Sequence, residues 1–483
     1  MLDVNYRAPS LETFEADMFQ SSVEARTRLL TLILLIGLLL RVAYAMQQPT
    51  LVQYTGATGG DSAGYLANGA GFFSGKEHGW IRNIPFYISN LKPAPLYILF
   101  VGAFQAMLPD HEAIIAIRLA QCLASIATAY LAFRMARRIA GADSAGVAAA
   151  TLVVFHPALI IEPASIATET LYIFFVTAGL WLYLEFVTRY ACGHRLPYLN
   201  PSGTLALLAA VLGLATLTRG VSALFPFVLA LHLLWLGRHR LLRNSRRQIL
   251  LLLVVYAAMA STWTTYNLLN WNRFVIVSDQ LMAALWRGAE RNDGSPEQND
   301  RLLLEGVEVT TPADCVVDCK FEHATETYVS KIDAIISADP AGYLALRVHE
   351  LGYAILQPYG TTPFGEVSVM EASRKWLSDD RSLNGLLQVL RIEGFAIKLA
   401  TWIFHYIGIG FGLLGLLWTR KRWRTAAPLA GFALYTVAVH FFLLALPRYL
   451  FPIEVVWLVF AGIALAELRD KWGSRRSAGV GNS

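Results

Sequence analysis

The chain is punctuated by apolar runs long enough to cross a bilayer, at 29–46, 113–133, 145–162, 168–187, 203–218, 220–237, 248–270, 395–418, 425–446 and 449–467. A helix needs about 20 mostly apolar residues to traverse about 30 Å of hydrocarbon. Composition agrees, with 55% of the 483 residues hydrophobic and 16% charged, where a soluble domain carries about 25% charged residues. The expected fold is an all-α polytopic membrane protein of about ten to twelve transmembrane helices. The first run ends in Ala43-Tyr44-Ala45, which resembles a signal-peptidase site. A long polar leader and the late Arg41 argue instead for an uncleaved signal anchor.

The formal charge of +5 gives no argument for nucleic acid, and its placement matters more than its sum. Arg26 and Arg28 precede the first run, Arg134, Arg137 and Arg138 follow the second, and Arg189, His194 and Arg195 follow the fourth. Arg238 to Arg247 follow the sixth, Arg420 to Arg424 the eighth, and Arg469 to Arg476 the last. Positive residues stay cytoplasmic. All these clusters fall on one side if both termini are cytoplasmic. Two shorter apolar stretches, 94–109 and 341–357, would each invert everything after them if counted alone as a span. They are therefore expected to lie at, or dip into, the outer face, where protein or a water-filled cavity must cover any irregular backbone.

This sidedness divides the chain into a cytoplasmic tail at 1–28, a transmembrane module at 29–270 with an outer loop at 47–112, and an outer segment at 271–394. Transmembrane helices at 395–468 and a cytoplasmic tail at 469–483 complete it. No Walker pattern occurs, and the GxGxxG spacing of Gly410, Gly412 and Gly415 lies inside the apolar run 395–418 rather than after a strand, so an enzyme of this shape needs its activated donor delivered through the membrane. Cys315 and Cys319 lie in the outer segment as CVVDC, where a local disulfide is open in an oxidising compartment, although cysteines four apart on a regular helix align poorly for one. His78, His156, His349 and His440 show no ligand spacing and read as structural.

The outer side also collects the chemistry-bearing residues. Asp61, in GGDSAGYLANG, stands at the start of a small-residue helix that includes Tyr65, where the helix dipole favours an acid. Glu169 opens the fourth run and Glu162 closes the third. Ionisable groups at membrane depth are costly and tend to face cavities. Lys92 in NLKPAPLY, Arg219 in TLTRG and Arg448-Tyr449 in LPRYLFP are cations on a face that positive-inside bias should leave poor in them. Each alone reads as a snorkelling anchor; together they suit a phosphate.

The order of these motifs resembles the GT-C membrane glycosyltransferases. The closest branches are the dolichyl-phosphate-mannose protein mannosyltransferase-like enzymes and the bacterial lipid A aminoarabinose transferases. The resemblance runs best from about 29 to 270, with RYLFP as a second anchor. It implies a cavity on the periplasmic face of a bacterial inner membrane and a polyprenyl-phosphate sugar donor. A lipid, glycan or protein acceptor and contacts with membrane lipids complete the implied partners. Asp61 matches the acid of the first outer loop, the catalytic base, and Glu169 the second acidic motif. Lys92 matches a donor-phosphate lysine, joined by Arg219, and Arg448 and Tyr449 match the terminal Arg-Tyr. WTTYN, with Tyr266 and Asn267, resembles a Trp-x-x-Arg-Asn motif but carries Tyr266 where arginine is expected. Tyr65, Glu162, Tyr266 and Asn267 are the remaining cavity candidates.

The chemistry implied is a single displacement with inversion. A carboxylate takes the acceptor's proton, and cations stabilise the leaving phosphate. The resemblance fixes no cofactor; a divalent metal held by Asp61 and Glu169 stays open, as does an acceptor-orienting role for Glu169. A transporter or flippase of a lipid-linked sugar is the alternative from another class, and a receptor or assembly subunit a third. In a cysteine-free background, a cysteine at Ser74 should react with a membrane-impermeant maleimide on intact cells and one at Ser245 only after lysis. The reverse pattern would invert this topology.

Overall fold

The computed structural model describes residues 11–49, 60–74, 94–192, 200–242, 244–271, 274–278, 281–290, 319–361, 367–379 and 381–480, and among these the chain is helical without a strand. The helices are α1 (Leu11–Gln47), α2 (Gly60–Ser74), α3 (Pro95–Met107), α4 (Asp110–Ala140), α5 (Asp143–Phe155), α6 (Pro157–Ile161) and α7 (Glu169–Cys192). Then come α8 (Pro201–Thr218), α9 (Phe225–Arg238), α10 (Ser245–Trp271), α11 (Leu281–Ala289), α12 (Cys319–Ala338) and α13 (Pro340–Leu356). The chain finishes with α14 (Val369–Asp379), α15 (Leu383–Leu390), α16 (Phe395–Trp418), α17 (Trp423–Phe442), α18 (Pro447–Leu450) and α19 (Glu454–Val480).

Eight stretches among the described residues are long and apolar enough to cross a membrane, or nine if α5 and the following Pro157–Ala164, bent by 65°, form one span. One of the eight, Phe395–Phe442, contains two helices of opposite direction. Gly408 and Gly415 of α16 lie against Glu454 and Phe460 of α19, so these two helices run parallel. Arg422, just before α17, donates to carbonyls of Ile139 and Ala140 at the end of α4. At the other end of α17, His440 stacks on Tyr449. The apolar runs expected to cross are thus largely helical, with 145–162 broken at His156 rather than continuous. The short stretches also form helices, and α3, at 13 residues, spans only about 20 Å, too little to cross.

The break between α5 and α6 has a chemical cause. Pro157, the first residue of α6, has no N–H to give and cannot continue the ladder. Carbonyls freed there must find new donors inside an apolar layer. Arg41, fully buried, supplies them: its guanidinium donates to Val153 O at 3.2 Å and Val154 O at 3.0 Å, and its Nε to Ser125 Oγ at 2.8 Å. Beyond the break, Arg118 donates to Ala164 O at 2.9 Å, and Gln121 Nε2 to Pro163 O and Ser165 O at 2.9 and 2.7 Å. Tyr97 of α3 donates to Gln121 Oε1 at 2.7 Å, tying the dipping helix to the same network.

Close helix approach elsewhere rests on glycine, as expected where lipid offers no hydrophobic drive. A Cβ on Gly415 would lie 1.9 Å from Phe460 O, and one on Gly412 2.9 Å from Trp457 O, whereas Gly410 has nothing within 4 Å. Gly415→Ile should therefore force α16 off α19 and cost about 1–3 kcal/mol or more by overpacking. The thermal midpoint of the detergent-purified protein should fall clearly for Gly415→Ile and stay unchanged for Gly410→Ile; equal effects would contradict this seam.

Candidate active site

The carboxylates and arginines converge at one end of the bundle from elements far apart in sequence. Asp61 occupies the first turn of α2, and Glu169 begins α7. Arg219 ends α8, and Arg448 sits in α18, whose start is set by Pro447. Arg448 grips Glu169 with two nitrogens, Nε on Oε1 and Nη2 on Oε2 at 3.1 Å, and gives Nη1 to Asp61 Oδ2. Arg219 Nη1 donates to Glu169 Oε1 at 2.8 Å. The two acids differ in access: the Glu169 side chain is 0% exposed and that of Asp61 45%. A buried carboxylate is tolerable only with excellent pairing, and two guanidiniums plus the helix N-terminus supply it.

Aromatic rings hold the cations in place. The Arg219 guanidinium lies over the rings of Tyr172 at 5.7 Å and Tyr449 at 5.3 Å, a cation–π arrangement. Tyr449 in turn stacks on His440, ring centroids 5.5 Å apart, and His440 Nδ1 donates to Leu444 O at 3.2 Å. Burial alone would lower the Arg219 pKa, but the Glu169 carboxylate outweighs it and the net shift is upward. Tyr65 meets Tyr97 edge-on at 4.8 Å. Burial, then the nearby Glu169 and Asp61 charges, hold its hydroxyl above the usual tyrosine value.

A third acid lies behind these. Glu162 is buried, the Tyr359 hydroxyl lies near enough to influence its carboxylate, and among the described residues Glu162 Oε1 has no hydrogen-bond partner. Burial first and the Glu162 charge second push the Tyr359 hydroxyl upward. Nothing in the sequence QPYG around Tyr359 marks it for this role, and Tyr172, on an apolar helix face, was equally hidden.

Other expectations fall differently. Lys92, Cys315 and His78 lie outside the described residues, as does the Cys319 side chain, and with them the disulfide. Tyr266 stacks on Trp263 at 5.1 Å and tilts against Phe72 of α2 at 6.0 Å. Its cluster includes Leu217, two residues before Arg219. Asn267 is fully buried, with neither amide atom hydrogen-bonded among the described residues. His156 faces Glu454 Oε1 at 3.5 Å, and His405 Nδ1 faces Glu454 Oε2 at 3.0 Å; neither Glu454 nor His405 stood out in the sequence.

For a metal, the fit is poor. Arg448 spans the two acids where a cation would sit, and among the described residues no group of three or more His, Cys, Asp or Glu converges as a ligand set. A divalent ion at Asp61 and Glu169 would have to take the guanidinium's place.

Part of the sequence and the overall fold are similar to those of known membrane glycosyltransferases. The family model described as dolichyl-phosphate-mannose-protein mannosyltransferase matches residues 92–266, the part that carries Glu162, Glu169 and Arg219. The fold is shared with the archaeal oligosaccharyltransferase AglB from Archaeoglobus fulgidus, solved with an inhibitory peptide and a dolichol-phosphate, at TM-score 0.50 and 15% identity over 93% of this chain. The Archaeoglobus fulgidus oligosaccharyltransferase tethered to an acceptor peptide with the NVT sequon gives the same figures. A structure of the Archaeoglobus fulgidus enzyme complexed with Zn and sulfate matches at TM-score 0.50 and 14% identity over 92% of this chain. The chain covers 51%, 50% and 50% of those three chains, about half their length. At such identity the likeness is one of fold. No curated protein matches the sequence.

Breaking the hub should be costly. Arg448→Gln strips one partner from a buried carboxylate, a loss on the order of 3 kcal/mol. Adding Glu169→Gln should return part of it, a coupling that a double-mutant cycle on thermal midpoints reads directly. Additive losses would remove Glu169 from the centre of the site.

Proposed function

We propose that the protein transfers a sugar from a polyprenyl phosphate to a lipid, glycan or protein acceptor at the outer face of the membrane, with inversion. The observation that carries this reading is the division of labour between the two acids. Glu169 is enclosed by arginines and unreachable, whereas Asp61 is half-exposed on the same guanidinium and open to an acceptor.

Asp61 is the base. It takes the proton of the acceptor hydroxyl or amide as the acceptor oxygen or nitrogen bonds to the anomeric carbon. The bond from that carbon to the phosphate oxygen breaks, and polyprenyl phosphate leaves with the electron pair. A phosphate needs no proton to depart, so one carboxylate suffices, unlike the paired acids of glycosidases. Arg219 has hydrogen-bonding capacity beyond its single contact with Glu169 and receives the phosphate, a role that the family resemblance extends to Lys92. In the resting arrangement all three nitrogens of Arg448 are committed to carboxylates. A phosphate that draws Arg448 away from Asp61 would free Oδ2 for the proton, so donor binding readies the base. Glu169 is a positioning residue for both arginines. The outer segment at 271–394 shapes acceptor choice. No step is routed through a metal.

Purified protein given a radiolabelled polyprenyl-phosphate sugar and membrane extract should yield labelled acceptor, and Asp61→Asn should lower that yield about 100- to 10,000-fold with an unchanged thermal midpoint. Translocation of the donor without transfer would identify a flippase. Substantial activity in Asp61→Asn would reject Asp61 as base.

A further inference from the structure

A cavity of about 930 Å³ lies at the other end of the bundle. Helix α7 links the two ends: Glu169 at its start belongs to the carboxylate–arginine site, and Arg189, twenty residues on, lines the cavity. At 1.5 Å per residue the separation is about 30 Å.

Six arginines face this space: Arg26 from α1, Arg134, Arg137 and Arg138 from α4, Arg189 from α7 and Arg469 from α19. Three acids share it. Asp143 is paired with Arg26 at 3.5 Å and with Arg137. Glu185, buried at the cavity wall, is paired with Arg189 and lies 3.9 Å from Arg134. Asp470 is paired with Arg469 at 2.9 Å. Arg138 donates Nε to Thr188 Oγ1 at 2.9 Å and meets no carboxylate among the described residues. Three positive charges are left over around one void.

The backbone adds to this. Gly141, in the left-handed region at φ 72°, ends α4 and turns the chain into α5. Ala142, Asp143 and Ser144 line the cavity, and the first turn of α5 has no side-chain cap. The N–H groups of an uncapped helix start favour an anion. Leu29, 47% exposed, and Val147 form an apolar border to the same space.

Positive-inside bias accounts for arginines at this end of the bundle, and snorkelling for each one singly. Neither accounts for six of them, from four helices, turned toward a shared cavity above a buried glutamate. We propose that this cavity is a binding site for a phosphate-bearing anion, with the arginine surplus and the α5 N-terminus as its ligands. Basic pockets between transmembrane helices suit the phosphate of an anionic lipid headgroup, and the border of Leu29 and Val147 suits an attached acyl chain. A soluble phosphate offers the same chemistry to the arginines. The proposal is independent of the reading of the distant carboxylate site.

The test uses the full-length protein purified in a neutral detergent. Trp181, whose ring lies 5.3 Å from the Arg134 guanidinium, provides the environment for a fluorescence readout, and thermal stabilisation provides a second. The protein is titrated with phosphatidylglycerol, with phosphatidylcholine, and with inorganic phosphate against chloride at matched ionic strength. Saturable stabilisation by phosphatidylglycerol and not phosphatidylcholine supports a lipid headgroup; saturable stabilisation by inorganic phosphate over chloride supports a soluble phosphate. Arg138→Gln combined with Arg469→Gln should weaken the binding about tenfold or more, while Arg240→Gln, outside the cavity, leaves it unchanged. Equal responses to anionic and neutral lipid with none to phosphate would overturn the proposal, and so would identical affinity in the double variant. If the double variant fails to fold, the wild-type titrations decide alone.

Discussion

Backbone that leaves the helical path within an apolar layer must have its amides and carbonyls paired by something else, and the rest of this structure follows from how that is done after His156. The interruption at Pro157 frees carbonyls in the middle of a span. Arg41 reaches across from α1 to take them, and Arg118 and Gln121 of α4 take carbonyls of the irregular stretch beyond. The irregular stretch that results delivers Glu162 and then Glu169 to the end of the bundle, where a continuous helix would have carried neither to the same place. Polar side chains that look misplaced in apolar runs therefore build the platform for the acids.

Glu169 plays a second organising part. Its carboxylate, out of reach of water, is neutralised by one arginine from the α8 end and another from α18, and the latter also holds Asp61 on α2. Four elements are thus pinned by one group. Removing water strengthens these pairings and raises the penalty for breaking any of them. The rings of Tyr172, Tyr449 and His440 restrict where the cations can go. Such a framework is rigid around Glu169 and looser toward Asp61, where exposure rises.

Much of this was legible in the sequence, and the reason is physical. Hydrophobic length fixes spans almost without regard to context, and the clustering of arginines at alternate ends fixes which loops share a side. Asp61, Glu169, Arg219 and Arg448 were placed on one face by that logic alone. Their mutual contacts were not legible, since Asp61 and Arg448 are 387 residues apart and pairing depends on helix packing. Arg41 read only as a blemish in an apolar run, because its value lies in carbonyls of another helix. Tyr359 and Tyr172 are ordinary aromatics until the fold sets them against Glu162 and Arg219. The histidines misled in another way: spacing along the chain revealed no grouping, yet His156 and His405 meet Glu454 from separate helices.

That last grouping has a consequence for proton inventory. His405 Nε2 lies 3.0 Å from the carbonyl of Ile355, and a carbonyl can only accept, so that nitrogen bears a hydrogen. The opposite nitrogen, Nδ1, lies 3.0 Å from Glu454 Oε2, and this contact is a hydrogen bond only if a second hydrogen sits between them. The pair must therefore keep one proton more than a neutral imidazole and a carboxylate would hold, on either partner. Stripped of it, two lone pairs would confront each other within the bundle, and α16 would lose a tie to α19. The seam beside the glycine crossing is thus secured by a polar tie as well as by close packing.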